Sequence, residues 1–383
     1  MKLLAVLWIS GLLIGCASAP PPAPAPDALF HDEWFERLAT PIDPDAALAL
    51  SPEMRSYLAT WRHSRFGSAE RSRELVDALY RRSDLRLLYD ATMTRTAAQA
   101  FEARSGNCLS LVLMTAAFAK ELGLAVRYQS VVGEETWDRS DTLYIAAGHV
   151  NLSLEDRWSS AWGTPGNQAL IVDFLPTRAA MTLRTRTIDE RTVIAMYLTN
   201  RAVEALTRGQ IDEAYWWARE AVRKDPQMAG ASIALGAVYR LAHHPELALA
   251  VLERVGEREP DNVSALSNRV LVLRDLGRTD EADRLSQRLA RLDPNPPYTY
   301  FNQGMAALRE RRYEDARRWF AKEVDRAPYN HEFEFWLAVS YLDLNDLPHA
   351  TQHLTRAMEA SATRKDHDLY AAKLDRLKAL AAQ

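Results

Sequence analysis

The chain has 383 residues, with 47 Lys and Arg against 51 Asp and Glu, for a formal net charge of -4 at pH 7. That balance argues against nucleic acid as the main partner, because phosphate binding favours a surplus of basic side chains. Apolar residues make up 48% of the chain, ample for packed cores, and the length suggests two or three domains.

The N-terminus reads as an export signal. Met1-Lys2 is a short positive region, Leu3 to Ile14 are mainly apolar, and Leu13-Ile14-Gly15-Cys16 closes the stretch. An apolar run this short is too brief to span a membrane. Its closing tetrad resembles the bacterial lipoprotein box, so residues 1–16 read as a lipoprotein signal with its box, which implies cleavage just before Cys16 and lipidation of that cysteine. The other reading is an ordinary signal peptide with Cys16 discarded. Residues 17–27, "ASAPPPAPAPD", form a Pro/Ala-rich tether. Such a sequence cannot pack a core and favours extended polyproline II. By the lipoprotein resemblance, Ala17 after the cysteine implies the outer membrane. The expected location is therefore the bacterial cell envelope, held at the membrane by an N-terminal lipid and facing the periplasm.

Three segments then read as amphipathic helices: "SPEMRSYLATWRHS", "SAERSRELVDALYRR" and "TRTAAQAFEARS". A further helix follows Gly106-Asn107 and begins at Cys108. The pattern changes at 126–133, 142–154 and 167–176, where β-branched and alternating residues predict strands. A helix followed by antiparallel strands predicts an α+β domain, taken here as residues 28–190 with its helical lead-in.

Only two cysteines occur in the chain. With Cys16 lipidated, Cys108 has no partner for an intramolecular disulfide in an oxidising compartment. A cysteine at a helix start meets free backbone N–H groups and a partial positive charge, which favour the thiolate. His149 lies in the second predicted strand and Asp173 near the end of the third. A thiol nucleophile needs a nearby base, and that imidazole needs an acceptor to orient it. Each residue alone has a bland alternative: a core cysteine, a structural histidine and a turn-forming aspartate.

"RSGNCLSLVLMTAAFAKELGLAV" resembles the cysteine motif of the bacterial transglutaminase-like superfamily, "GHVNLSL" its histidine strand and "IVDF" its aspartate strand. The upstream "LLYDATMTRTAAQAFEARSG" also fits the lead-in of that group. The likeness spans roughly residues 85–176. It implies a papain-like fold with Cys108 as nucleophile, His149 as base and Asp173 as the orienting residue. The implied activity is cysteine-dependent acyl transfer on protein or peptide amides, either transamidation or hydrolysis, with no cofactor and no metal. The Cys108 backbone N–H is a candidate oxyanion donor. Gln99 is weighed as a second donor against a plain helix-surface residue. Trp158 and Trp162, in the loop between the histidine and aspartate strands, either wall a substrate cleft or cover the sheet. The two arginines in 182–187 either bind an acidic substrate or belong to a solvated linker.

The C-terminal half repeats with a period of 34 residues. Pro226, Pro260, Pro294 and Pro328 keep that spacing, and Ala214, Ala248, Ala282 and Ala316 stand twelve residues before them, with Ala350 next in the series. Gly236 and Gly304 share one position of the repeat, and Gly209 and Gly277 another. Small residues let two helices approach, and proline stops the second helix before the next unit. These positions resemble the tetratricopeptide repeat, which implies an all-α solenoid of five units over 191–362 and a capping helix in 363–383. By that resemblance the concave face binds a protein partner, so a non-catalytic adaptor that scaffolds an envelope complex is the alternative function. His349 and His353 have a metal-ligand spacing, but no third ligand joins them and they are read as a solvated helix face.

Overall fold

A computed structural model of the chain describes residues 26–60, 68–80, 85, 87–90, 93–140, 143–155, 170–174, 184–328, 330–361 and 363–381. The predicted signal segment with Cys16, nearly all of the predicted tether, and the loop bearing Trp158 and Trp162 lie outside these residues.

The N-terminal region is α+β. Helix α1 (Pro52–Ala59) starts where Ser51 accepts a hydrogen bond from Met54 N, with proline at its first position. Helices α2 (Ser68–Tyr80) and α3 (Ala97–Ala103) follow, and then α4 (Cys108–Glu121). Helix α4 is buried on every side from Leu109 to Ala119, so it is the central helix of the domain. Gly123 ends it at φ +73, a conformation that glycine adopts without a Cβ penalty.

Strands β3 (Ala125–Ser140), β4 (Leu143–Glu155), β5 (Leu170–Val172) and β6 (Thr185–Ile188) form an antiparallel sheet in the order β5-β4-β3-β6. Two short strands, β1 (Leu88–Tyr89) and β2 (Ser105–Gly106), pair in parallel just before α4. The linker expected at 182–187 is in part the edge strand β6: Thr185 pairs with Val131 and Ile188 with Tyr128. Thr and Ile favour a strand, and Arg184 and Arg186 point to solvent.

From Glu190 onward the chain is a series of helical hairpins. They are α5 (Glu190–Thr207) with α6 (Ile211–Lys224), α7 (Ala229–Leu241) with α8 (Pro245–Arg258), and α9 (Val263–Asp275) with α10 (Thr279–Leu292). Then come α11 (Thr299–Arg309) with α12 (Tyr313–Arg326), α13 (His331–Asp343) with α14 (Leu347–Glu359), and the end helix α15 (Arg364–Ala381). Close approach inside each hairpin explains the glycines. A Cβ on Gly236 would come within 2.9 Å of Leu252, and one on Gly304 within 2.7 Å of Phe320. In the hairpin between them the sizes are exchanged, with Val270 at the glycine position and Ser286 at that of Leu252 and Phe320. By position, then, the large and the small residue have changed helices.

The stack is interrupted once. Helix α7 packs on α6, α9 on α8 and α13 on α12, but α10 and α11 form no such packed pair. The core formed by the first three hairpins ends at Ala282, and a second core begins at Tyr298. The sequence "DPNPPYT" gives the reason. Pro296 and Pro297 cannot donate backbone N–H groups, Tyr298 takes a left-handed φ of 67, and α11 starts two residues later than the period dictates.

The N-terminal segment after the tether is a strap across the first two repeats. Phe35 stacks on Tyr215 with ring centroids 3.8 Å apart. Tyr215 Oη donates to Asp32 at 2.7 Å and accepts from His31 N at 2.9 Å, while Arg219 Nε donates to the same carboxylate at 2.8 Å. Tyr239 Oη donates to the Leu29 carbonyl at 2.6 Å, and Trp216 Nε1 to the Glu36 carbonyl at 2.7 Å. The first repeat is also joined to the α+β region. Glu204 accepts from Thr94 N at 2.6 Å, and the buried side chains run without a break from Phe35 through α4 to Ala282.

Candidate functional site

Cys108 is the first residue of α4, and the residues before it build its socket. Asn107 caps the helix, its side-chain oxygen accepting from Ser110 N at 2.9 Å and from Ser110 Oγ at 2.8 Å. Its amide donates to Thr94 Oγ1 at 2.9 Å, and Ser110 Oγ accepts from Arg95 N at 2.8 Å. A cap of this kind contributes about 1 kcal/mol. Gly106 must stay bare, since a Cβ there would lie 2.6 Å from Ser110 Cβ. The "SGNC" stretch is therefore a tight turn that sets a half-buried cysteine at a helix N-terminus.

His149 is delivered by an irregularity in the sheet. Ser130 pairs with Val150 and Glu135 with Gly148, so four residues of β3 bulge opposite the single residue His149. Bulges bend a strand and re-aim a side chain, and they recur beside reactive centres. The histidine is 3% exposed. Its Nε2 lies 2.9 Å from both carboxylate oxygens of Asp173, which follows the end of β5. Asn151, two residues along β4, donates from Nδ2 to Asp173 Oδ2 at 3.0 Å and so fixes the carboxylate from the side. With Nε2 committed to Asp173, Nδ1 is the nitrogen left to face Cys108, whose side chain lies near enough to act on the imidazole.

Burial alone would lower the His149 pKa. Hydrogen bonds to Asp173 and Cys108, with the charges of both, outweigh it and push the value up to about 10. The imidazole is thus held as the cation through neutrality. A histidine in that state has a proton to give before it can take one.

A further residue stands at the site that the sequence reading did not single out. Tyr89 pairs across β1–β2 with Gly106, two residues before the cysteine, and Asp90 N donates to the Gly106 carbonyl at 3.1 Å. Burial of its hydroxyl and the nearby Cys108 charge push the phenol well above its ordinary range, while a hydrogen bond from the Cys108 backbone N–H works the other way. The residue as a whole is 38% exposed, so the ring reaches solvent while the hydroxyl end is enclosed. The backbone N–H considered for an oxyanion therefore faces Tyr89 Oη. Tyrosine in a two-residue strand leaves no periodic signal; only its place in the lead-in "LLYD" marked it.

Gln99 is engaged elsewhere. Its side chain accepts from Thr96 N at 3.0 Å while Thr96 accepts from Gln99 N, a capping box that opens α3. Its amide oxygen thus serves as a helix cap. His349 meets Asp346 at 2.7 Å. His353 departs from the expected solvated face, for it is half-buried, bonded to Glu334 at 2.6 Å and stacked on Tyr341.

The tetratricopeptide-repeat family model matches residues 268–331 and 301–365. The C-terminal part of the chain is a tetratricopeptide-repeat solenoid. Among solved structures, it is similar to a thermophilic tetratricopeptide protein of Thermus thermophilus, at 17% identity over 47% of this chain and 98% of that one, with a TM-score of 0.28. YrrB, described as a tetratricopeptide protein with an unusual peptide-binding site, is 22% identical over 47% and 92%, TM-score 0.25. PilF of Pseudomonas aeruginosa is 19% identical over 49% and 94%, TM-score 0.27. No curated protein sequence matches the chain.

Proposed function

We propose that this is a repeat protein that binds protein or peptide partners, and that its N-terminal domain acts on an amide of such a partner through Cys108, His149 and Asp173. Repeats of this type generally bind proteins or peptides. The comparisons speak to that half alone, and so favour the adaptor reading, in which the α+β domain is a fold without catalysis. One observation supports catalysis. A buried histidine, opposite a bulge, is held between Asp173 and a cysteine at a helix start.

The chemistry follows from that geometry. The Cys108 sulfur attacks the amide carbonyl carbon as the thiolate, forming a C–S bond. The His149 imidazolium gives its Nδ1 proton to the departing amine as the C–N bond breaks, leaving a thioester. Water gives hydrolysis at the next step and a second amine gives transamidation. On this reading the fold class of the N-terminal domain is papain-like, or transglutaminase-like. Location completes the proposal: a lipid on Cys16 would hold the chain in the cell envelope.

Intact mass measured after exposure to an activated acyl ester tests the catalytic reading. The expected result is one acyl group on Cys108, formed faster than on a free thiol, and slowed by His149→Ala. Equal labelling of Cys108→Ala, or a rate no faster than the free thiol, returns the protein to the adaptor reading. Fatty-acid labelling lost in Cys16→Ser tests the anchor, and labelling that persists in that variant removes it.

A further inference from the structure

The strap defines what one groove of this solenoid accepts. It lies between the second helix of the first repeat and the first helix of the second. Asp212 and Tyr215 come from α6, Tyr239 from α7, and His244 from the turn after it. The groove takes an extended segment. Asp212 Oδ1 accepts from Glu36 N at 3.0 Å, Tyr239 Oη grips the Leu29 carbonyl at 2.6 Å, and Tyr215 and Arg219 hold the Asp32 carboxylate. His244 tilts against Trp34 at 4.2 Å.

Three periods further on, the same positions are Glu314, Arg317, Tyr341 and Asp346. They line one open cleft of about 450 Å³, together with Leu344 and His349, between α12 and the last hairpin. The correspondence is chemical as well as positional. Acid stands for acid at Glu314, and Tyr341 repeats Tyr239. The guanidinium of Arg317, 5.8 Å above the Tyr341 ring, takes the place of the Tyr215 hydroxyl that meets a carboxylate in the first groove. The His349 ring stacks on Tyr341 at 5.0 Å and extends the aromatic wall.

We infer that the cleft of Glu314, Arg317, Tyr341 and His349 is a second peptide site, taking from a partner protein an extended segment with a carboxylate beside an aromatic residue, as Asp32 and Phe35 stand in the strap. This rests on the partner-binding reading of the repeats and is independent of catalysis. Arg317 pairs with Glu314 at 3.1 Å, so an incoming carboxylate replaces one partner of the guanidinium by another. The half-exposed His349 ring, itself stacked on Tyr341, meets the aromatic residue, and Tyr341 offers its hydroxyl to a backbone carbonyl, as Tyr239 does.

The probe is the chain's own motif: a labelled synthetic peptide of residues 27–38, "DALFHDEWFERL", added to the full chain, whose first groove the strap already fills. The expected result is saturable binding, weakened at least tenfold by Arg317→Ala and by Tyr341→Ala, and by Asp32→Asn within the peptide. Arg317 is a partly exposed side chain, so its removal tests binding without emptying a core. Binding indifferent to both cleft variants overturns the inference, as does no binding at millimolar peptide. Binding abolished by Arg219→Ala with Arg317→Ala silent also overturns it, because the peptide is then exchanging with the strap. So does a chain that dimerises by passing its strap to a second copy. Each of these outcomes removes this cleft and leaves the catalytic test and the other repeat surfaces untouched.

Discussion

His149 Nε2 lies 2.9 Å from both carboxylate oxygens of Asp173, and this shared contact joins the β4 and β5 strands at the place where β3 bulges away. The pairing favours the cationic form of the histidine in the folded chain. A group whose folded pKa is raised contributes stability that is complete below its unfolded value, about 6.5, and that declines until pH passes the folded value. For His149 that window runs up to about 10. His149→Gln is therefore expected to lower the melting temperature most at pH 6 and least at pH 10.5. Thermal melts across that range check it; a constant deficit would mean that packing alone is lost.

Tyr89 and Cys108 are linked through the Cys108 backbone N–H. A carbonyl oxygen polarised by that N–H must take the place of the Tyr89 hydroxyl. Tyr89→Phe is expected to raise the rate of Cys108 acylation by an activated ester several-fold, and to leave alkylation by iodoacetamide unchanged, since alkylation builds no oxyanion. A fall in acylation would instead make the hydroxyl a donor to the oxyanion.

Gly106→Ala pushes a Cβ to 2.6 Å from Ser110 Cβ, inside the network that caps α4. Backbone must shift, because the contact is with the root of a side chain and not its tip. The expected loss is about 1–3 kcal/mol, the usual range for overpacking, read from denaturant melts.

Within the repeats, Gly304 and Phe320 form one large-and-small pair and Val270 and Ser286 the exchanged form. Gly304→Val alone is expected to destabilise by about 1–3 kcal/mol. Adding Phe320→Ser should recover part of that loss, whereas independent sites would simply sum their penalties. A double-mutant cycle decides between the two.

The sequence showed some of this and hid the rest for physical reasons. The repeats were legible because prolines and alanines mark the helix stops and the close contacts at a fixed period. The interruption after α10 was not, because Pro294 keeps the period while Pro296 and Pro297 break it locally. The strap was invisible: residues 27–36 have no periodicity, and what orders them is Tyr215, Arg219 and Tyr239, between 183 and 210 residues away in sequence. At the site, Cys108, His149 and Asp173 could be named from their residue types and elements. The bulge that aims His149 depends on register between two strands, and Tyr89 reaches Cys108 through a pairing only two residues long. The edge strand β6 was read as linker because its exposed Thr and Arg carry no apolar alternation.

The central claim is that Cys108, His149 and Asp173 act as one unit, and the protonation of His149 reports it most directly. Nitrogen-detected NMR of histidine-labelled protein, followed from pH 5 to pH 11, should show His149 as imidazolium until about pH 10. Cys108→Ala and Asp173→Asn should each bring the transition down. A His149 that titrates near 6.5 in the wild type, unmoved by either substitution, would contradict the account.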